Sequence, residues 1–347
     1  MKAARLYGYD ADLQGPEFVK LEEVDEPRIQ DPNEVIVRVG GAGLCRTDLH
    51  IIQGLWDDAL VVDPPYILGH ENAGWVEEVG GGIQHVRPGD AVVILPGLSD
   101  GVCRACRQGN DNLCETLVWQ GIQKDGGFAE HLVTRERNLI KLPEGVKPKD
   151  AAPFPDAGLS AYHAAKKAVG VLPPDATAIV IGVGGLGHVG IQALRALTPA
   201  RIVALDRSEL ALELASELGA DDVVAVTDDV VEKVLEMTAG RGAEAVLDFV
   251  GEQQTPAQGL QLTARGGYYF VIGYGGKIEV STMEMISTEK SIVGNIGGTS
   301  RELQELVALA SVGKVRLEIR DYSLEDINVA IADLRDLKIK GRAVLVP

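Results

Sequence analysis

The stretch Gly182-Val183-Gly184-Gly185-Leu186-Gly187 decides the fold of this 347-residue chain. An apolar run over residues 178–181 leads into it, and apolar residues spaced three and four apart follow it. This pattern predicts a short buried strand, a tight glycine turn and a helix. Gly182 permits the turn, Gly184 lets backbone amides approach a pyrophosphate, and Gly187 lets the helix pack on the strand. The unpaired N–H groups at the start of the helix would bind the same anion.

An acidic residue follows the next predicted strand. Residues 201–205 form a second apolar run that ends in Asp206, and Arg207 comes directly after it. A carboxylate at this distance from the glycine turn binds the hydroxyls of an adenosine ribose. A 2′-phosphate would meet like charge there, so Asp206 predicts NAD rather than NADP, although Arg207 could turn toward a phosphate. Strand, turn, helix and carboxylate together predict a dinucleotide site.

Composition and charge limit the partners. The chain carries 33 Lys and Arg residues against 51 Asp and Glu residues, a net charge of −18. This balance argues against nucleic acid and against an anionic membrane surface, because both are bound by an excess of basic residues. The start of the chain does not resemble a signal peptide, and three of the four cysteines cluster within twelve residues. We therefore expect a cytoplasmic protein whose thiols bind metal.

The predicted secondary-structure pattern changes near residue 153. Before it, short strands separated by turn residues are predicted at 35–39, 72–79 and 91–94. After it, strands and helices alternate, which predicts a parallel, doubly wound sheet. The predicted strands begin near 178, 201, 222, 245 and 267, and the predicted helices cover 208–218, 228–239 and 255–264. A helix over 301–312 and a strand over 343–346 are predicted to end the chain.

One loop carries a closed set of metal ligands. Asp100, Cys103, Cys106 and Cys114 follow one another at spacings of three, three and eight residues. Zinc binds four such ligands tetrahedrally, and a set with no open position is structural. A chance cluster of cysteines, or a free surface acid at Asp100, is the alternative.

A second set of potential ligands is spread along the chain. Cys45, His70 and Asp156 would supply the three protein ligands of a catalytic zinc, which keeps one position open. Glu71 is a neighbouring carboxylate that would bind transiently. Taken singly, a cysteine is more often a small buried hydrophobe and a histidine an ordinary hydrogen-bonded side chain, so the hypothesis depends on their combination.

Together these motifs make the sequence similar to a zinc-dependent alcohol dehydrogenase of the medium-chain dehydrogenase/reductase superfamily. The motifs that carry the resemblance are residues 45–50, 69–71, 100–114, 182–187 with Asp206, and Gly341-Arg342. The resemblance implies a GroES-like catalytic domain over 1–152 and 296–347, interrupted by a Rossmann domain over 153–295. It also implies two Zn²⁺ ions per subunit, one catalytic and one structural, and a homo-oligomer, with a tetramer favoured over a dimer.

The sequence departs from the family pattern at three positions. Asp156 and Asp100 stand where the family usually has cysteine, and Ala211 stands where relatives often carry a lysine. Arg46 and Arg342 resemble the arginines with which the family contacts the pyrophosphate, for which a forked guanidinium is suited.

The resemblance also implies a mechanism. An alcohol would be oxidised by NAD to an aldehyde or ketone, reversibly, with zinc as the Lewis acid. The Thr47 hydroxyl would accept the proton, a ribose hydroxyl would pass it on, and His50 would deliver it to solvent. Asp48 would accept the ring N–H of His70 and so fix the ligating tautomer.

Two other functions fit the same motifs. A zinc-dependent polyol or sugar dehydrogenase, or a ketone reductase, lies within the same superfamily, and fold alone does not separate them. A non-enzymatic zinc-binding module is the alternative from another class, although the charge and the dinucleotide pattern oppose it. Trp56, Trp119 and Ile122 either line an apolar substrate cleft or pack in the core.

Overall fold

A computed structural model describes residues 1–55 and 64–347. Its strands, in chain order, are β1 Lys2–Leu6, β2 Lys20–Glu23, β3 Glu34–Leu44, β4 Tyr66–Ile67, β5 Glu71–Val79, β6 Ala91–Ile94, β7 Gly97–Leu98, β8 Val118–Trp119, β9 His131–Arg135, β10 Leu139–Lys141, β11 Thr177–Ile181, β12 Arg201–Asp206, β13 Asp222–Ala225, β14 Ala243–Asp248, β15 Thr263–Val271, β16 Ser291–Gly294, β17 Ile319–Ser323 and β18 Arg342–Val346.

The α-helices lie mostly in the second half of the chain. They are α1 Arg46–Ile52, α2 Arg104–Arg107, α3 Pro148–Ala151, α4 Leu159–Val169, α5 Gly187–Leu197, α6 Glu209–Glu217, α7 Val230–Met237, α8 Thr255–Leu262, α9 Thr282–Thr288, α10 Ser300–Ser311 and α11 Ile327–Arg335. A five-residue π-helical turn over Phe154–Gly158 precedes α4. Among residues 1–55 and 64–347, the helices are all too short or too polar to cross a membrane.

The chain divides into two units. One comprises Met1–Leu159, Gly298–Val312 and Leu317–Pro347, and the other comprises Ser160–Gly297 and Gly313–Arg316. The predicted domain limits, 152/153 and 295/296, are close to these divisions but not the same.

The second unit contains a parallel sheet in the order β13-β12-β11-β14-β15-β16. Every neighbouring pair is parallel, as the alternation of strands and helices predicts. Its central strands are apolar runs that are buried on both faces, which parallel sheets require. The strand order reverses between β11 and β14, and in such sheets ligands bind beyond the carboxyl ends of the strands at that point. The Rossmann prediction is confirmed.

The first unit is β-rich, as predicted, and its largest sheet runs β10-β6-β5-β3-β18-β17, with β9 also paired to β3. The predicted strand at 35–39 is the first half of the eleven-residue β3. Two partners of β3 matter for the site. β5 pairs with it so that Gly43 opposes Glu71, and β18 pairs with it so that Leu44 opposes Ala343. These pairings bring Cys45, Glu71 and Arg342 to one end of the sheet.

Candidate functional site

The first unit brings Cys45, His70, Glu71 and Asp156 together. One potential ligand atom from each residue lies within 4.8 Å of those of the others. Cys45 follows β3 and precedes the first turn of α1, and Glu71 begins β5 directly after His70. Asp156 is held in the π-helical turn. The structure therefore assembles the four side chains that the sequence proposes for a catalytic metal.

Asp156 is central to this cluster. Its Oδ2 lies 3.4 Å from the Cys45 Sγ and 3.3 Å from the His70 Nε2. Burial opposes protonation of His70, but the carboxylates of Asp48 and Asp156 outweigh burial and raise its pKa well above the ordinary value. A thiol, an imidazole and carboxylates that converge on so small a volume match the donor set of Zn²⁺. The residues present thus fit the metal that the sequence implies.

Asp48 lies beside two of the potential ligands, Cys45 and His70. Its Oδ2 accepts a 2.8 Å hydrogen bond from the backbone N–H of Cys45, and its Oδ1 lies 3.3 Å from the His70 Nδ1. The side chain is fully buried. A carboxylate beside the non-ligating nitrogen of a histidine orients the ring and raises its basicity. The predicted role of Asp48 toward His70 stays a prediction, with this geometry in its favour.

Glu71 is paired with Arg342 deep inside the unit. The Arg342 Nε donates to the Glu71 Oε2 at 3.0 Å and the Nη2 donates to Oε1, which also accepts the backbone N–H of Ala157 at 3.1 Å. Burial raises the pKa of Glu71 to about 7, although Arg342 opposes the rise. The Arg342 Nη2 lies 3.8 Å from the Asp156 Oδ2. Arg342 therefore balances the acidic charge of the cluster, a contact that differs from the pyrophosphate role implied by the resemblance.

The residues of the predicted proton relay lie on α1. Thr47 is half-buried, His50 is buried and Arg46 is exposed. Burial, followed by the positive charge of Arg46, lowers the pKa of His50 to about 4. His50 is thus a neutral imidazole at pH 7 and a weaker base than an ordinary histidine. The relay itself stays a prediction.

The four potential ligands in the loop over residues 100–114, here called the loop cluster, also lie close together. Asp100, Cys103, Cys106 and Cys114 meet the same 4.8 Å criterion, and all three cysteines are free thiols. The Cys103 and Cys114 Sγ atoms are 4.0 Å apart. The Asp100 Oδ1 accepts the N–H groups of Val102 and Cys103, and these bonds hold the pKa of Asp100 well below its usual range. An ionised carboxylate among three thiols fits a structural zinc site.

The glycine turn has the predicted geometry. Gly182 has a φ of +87°, and α5 begins at Gly187. The Asp206 Oδ2 accepts the Val183 N–H at 2.7 Å, so this carboxylate is tied to the turn as well as to the end of β12. The outer part of the turn, Gly184 to Leu186, is exposed or half-buried. The Arg207 Nη2 is 3.3 Å from the Gln253 Oε1.

The remaining predicted residues have separate positions. Trp119 is half-buried in β8 and Ile122 is buried, whereas Trp56 lies outside the described residues. Ala211 donates its backbone N–H to Ser208, the residue that caps α6. Sequence reasoning missed Gly43, where an added Cβ would overlap the Glu71 carboxylate. The signal was present as a run of glycines, but such a run ordinarily indicates a turn.

Comparisons with known proteins agree with this architecture. Residues 31–144 match the family described as alcohol dehydrogenase GroES-like domain, and residues 185–311 match the family described as zinc-binding dehydrogenase. An NAD-dependent alcohol dehydrogenase of Sulfurisphaera tokodaii is 34% identical over 339 residues, which are 95% of this chain and 96% of that one. A D-arabinose 1-dehydrogenase (NADP(+)) of Saccharolobus solfataricus is 36% identical over 95% of each chain. The crystal structure of the alcohol dehydrogenase from Aeropyrum pernix has a TM-score of 0.95, with 45% identity over the full length of both chains.

The fold and the assembled site thus define an oxidoreductase built from a GroES-like domain and a Rossmann domain. The chain belongs to the zinc-type alcohol dehydrogenases of the medium-chain dehydrogenase/reductase superfamily. The resemblance and the fold class inferred from the sequence are both confirmed. Membership in this family favours an enzyme over a non-enzymatic zinc-binding module.

Proposed function

We propose that this chain is a zinc-dependent alcohol dehydrogenase that prefers NAD and interconverts alcohols with aldehydes or ketones. The observation that carries the proposal is the convergence of Cys45, His70, Glu71 and Asp156 within 4.8 Å. The glycine turn tied to Asp206 supports the choice of cofactor. The family relationship supports the reaction class.

Cys45, His70 and Asp156 would hold the catalytic ion, which when bound supplies Lewis-acid polarisation of the substrate oxygen. Asp48 would orient the His70 ring through the His70 Nδ1. Thr47 would accept the alcohol proton, and His50, neutral at pH 7, would take it toward solvent. Glu71 is held by Arg342, which would restrain it from replacing Asp156 as a ligand.

We further propose a second, structural zinc held by Asp100, Cys103, Cys106 and Cys114. We also propose the domain limits expected from the sequence, with 1–152 and 296–347 as the catalytic domain and 153–295 as the dinucleotide domain. Arg46 and Arg342 remain candidates to bind the pyrophosphate of the cofactor. Gly184, Gly185 and Leu186 would form the turn that surrounds this pyrophosphate. The proposed assembly is a homotetramer.

Substrate range and cofactor are tested together. Primary and secondary alcohols, polyols, D-arabinose and the matching carbonyl compounds are assayed with NAD and with NADP, before and after metal removal by a chelator. We expect alcohol turnover with NAD that is lost with the metal and restored by Zn²⁺. The D-arabinose dehydrogenase relative makes sugar oxidation the second candidate. Activity on D-arabinose with no activity on simple alcohols would replace the proposal by that candidate.

The Asp156→Ala variant is the matched test of the site. It should lose catalytic metal and turnover while it still binds NADH, because the glycine turn is formed by the other unit. Asp150→Ala is the control, since that carboxylate is exposed on α3. Full activity of Asp156→Ala would leave Glu71 as the better third ligand.

A further inference from the structure

A buried carboxylate and a tyrosine meet at the carboxyl end of the parallel sheet. Asp248 is the last residue of β14 and Tyr269 lies in β15, and both are completely buried. The Tyr269 hydroxyl donates a 2.7 Å hydrogen bond to the Asp248 Oδ2. Burial, and then the neighbouring carboxylate, raise the pKa of Tyr269, so the hydroxyl remains a donor. The alcohol dehydrogenase mechanism described above does not use this pair.

The second oxygen of Asp248 holds a loop. Its Oδ1 accepts the backbone N–H groups of Val250 at 2.8 Å and Gly251 at 2.9 Å. Its main-chain carbonyl accepts those of Ile272 at 3.0 Å and Gly273 at 2.9 Å. One residue therefore fixes both chain segments that leave β14 and β15 at this edge of the sheet.

The loop that Asp248 holds packs on the glycine turn. Phe249 donates its backbone N–H to the Ile181 carbonyl at 3.0 Å, one residue before Gly182. A Cβ built on Gly182 would lie 2.5 Å from the Val250 Cγ2, and one built on Gly190 would lie 2.7 Å from the Phe249 ring. A shift of the loop after β14 would therefore be transmitted to the turn and to α5.

We propose that Asp248 and Tyr269 are positioning residues for the dinucleotide site, because they fix the loop against which the glycine turn rests. The inference deepens the proposed NAD-dependent function and rests on it. A buried carboxylate is costly unless its oxygens are fully hydrogen-bonded, and a purely apolar pair would fill the same space without that cost. The carboxylate supplies what an apolar residue lacks, an acceptor for two consecutive loop amides of fixed direction.

The test is a fluorescence titration of NADH with the full-length parent and four variants, well below the unfolding temperature. Asp248→Ala should raise the Kd for NADH about tenfold, because small misplacements of a binding element have effects of at least this size. Asp248→Asn should stay within about twofold of the parent, since its Oδ1 still accepts the loop amides. Tyr269→Phe removes one oxygen atom and should weaken NADH binding about threefold. Tyr268→Phe, on the neighbouring half-buried residue, is the control and should have no effect.

The KM for NAD should follow the Kd, while the KM for alcohol and the metal content stay at the parent values. A lower unfolding temperature with an unchanged Kd for NADH in Asp248→Ala and Tyr269→Phe would show a merely structural role and overturn the inference. If Asp248→Ala does not fold, Tyr269→Phe decides in the same way. A parent that binds no dinucleotide would overturn the proposed function itself. If the parent binds NADH and the variants have the same Kd, only this inference is overturned.

Discussion

Replacing Arg342 by Met should destabilise the first unit strongly. Arg342 is 4% exposed and Glu71 is fully buried, and two N–H groups of the guanidinium bond to the carboxylate. At the 3.0 Å Nε–Oε2 distance, the attraction of unit charges is about 5.5 kcal/mol for an effective dielectric constant near 20. Removing one partner of a buried pair typically costs about 3–5 kcal/mol, because the other charge is left uncompensated. Asp156, 3.8 Å from the same guanidinium, would lose one of its two cationic neighbours and keep His70, 3.3 Å from its Oδ2.

The assay is a double-mutant cycle followed by denaturant unfolding at a pH of about 8, above the pKa of about 7 that burial gives Glu71, so that the parent carries the full charge. Arg342→Met should lower the free energy of unfolding by about 3–5 kcal/mol, and Glu71→Gln added to it should recover about 2 kcal/mol, since a neutral amide needs no counter-charge. The control is Arg320→Met. That arginine is half-exposed and lies 3.2 Å from Asp333, so its loss should cost no more than about 1 kcal/mol. Equal losses from Arg342→Met and Arg320→Met, or strictly additive effects in the cycle, would refute the reasoning.

Three further predictions concern the loop cluster, the cofactor and pH. Cys106→Ser should remove one metal equivalent and lower thermal stability while the Cys45 site keeps its ion; metal analysis that finds equal content in variant and parent would contradict it. Asp206→Gly should move the ratio of kcat/KM values from NAD toward NADP by removing the like charge, and a ratio that does not change would exclude the assignment. The pKa of His50 is about 4 in the folded chain against an ordinary 6.5, so the unfolded chain binds the extra proton as the pH falls from 6.5 to 4, and stability declines over that window. In denaturant titrations, the free energy of unfolding of His50→Gln relative to that of the parent should therefore rise by up to about 3 kcal/mol between pH 7.5 and pH 4. A difference between variant and parent that is the same at both pH values would show that His50 does not titrate this way.

The second half of the chain could be predicted closely because its signals are local. The predicted helices 208–218, 228–239 and 255–264 correspond to Glu209–Glu217, Val230–Met237 and Thr255–Leu262. Each predicted strand from 178 to 267 is present, with starts shifted by at most a few residues. The prediction missed β16, and it also missed α9, β17 and α11. The order of the strands in the sheet was also not predicted, because it depends on pairing between distant segments.

The candidate metal ligands could be predicted as a set, but their supporting contacts could not. Side-chain chemistry nominates Cys45, His70 and Asp156 in combination, since few residue types bind zinc, and the structure brings their potential ligand atoms within 4.8 Å of one another. The partner of Glu71 is 271 residues away in the sequence, and a local pattern contains no information about it. The same holds for Tyr269, which bonds to a carboxylate 21 residues away.

The glycines of β3 show why a correct local rule gives a wrong boundary here. Glycine ordinarily weakens a strand, so the predicted strand stops at residue 39, whereas β3 continues to Leu44. A Cβ on Gly40 would lie 2.6 Å from the Trp75 ring, and one on Gly43 would overlap the Glu71 carboxylate. Residues that lack a side chain are needed where the neighbouring strand places large or charged groups against the backbone.

Strand register then connects these glycines to the chemistry of the site. β3 contains register shifts against β5 at Ile36/Val37 and at Val39/Gly41, and beyond them Gly43 opposes Glu71. Because side chains alternate between the faces of a strand, a slip of one residue would turn Glu71 away from Arg342. Such a slip would leave both groups buried without partners, at the cost already estimated for breaking the pair. The ion pair therefore selects the register that also places Cys45 and His70 side by side.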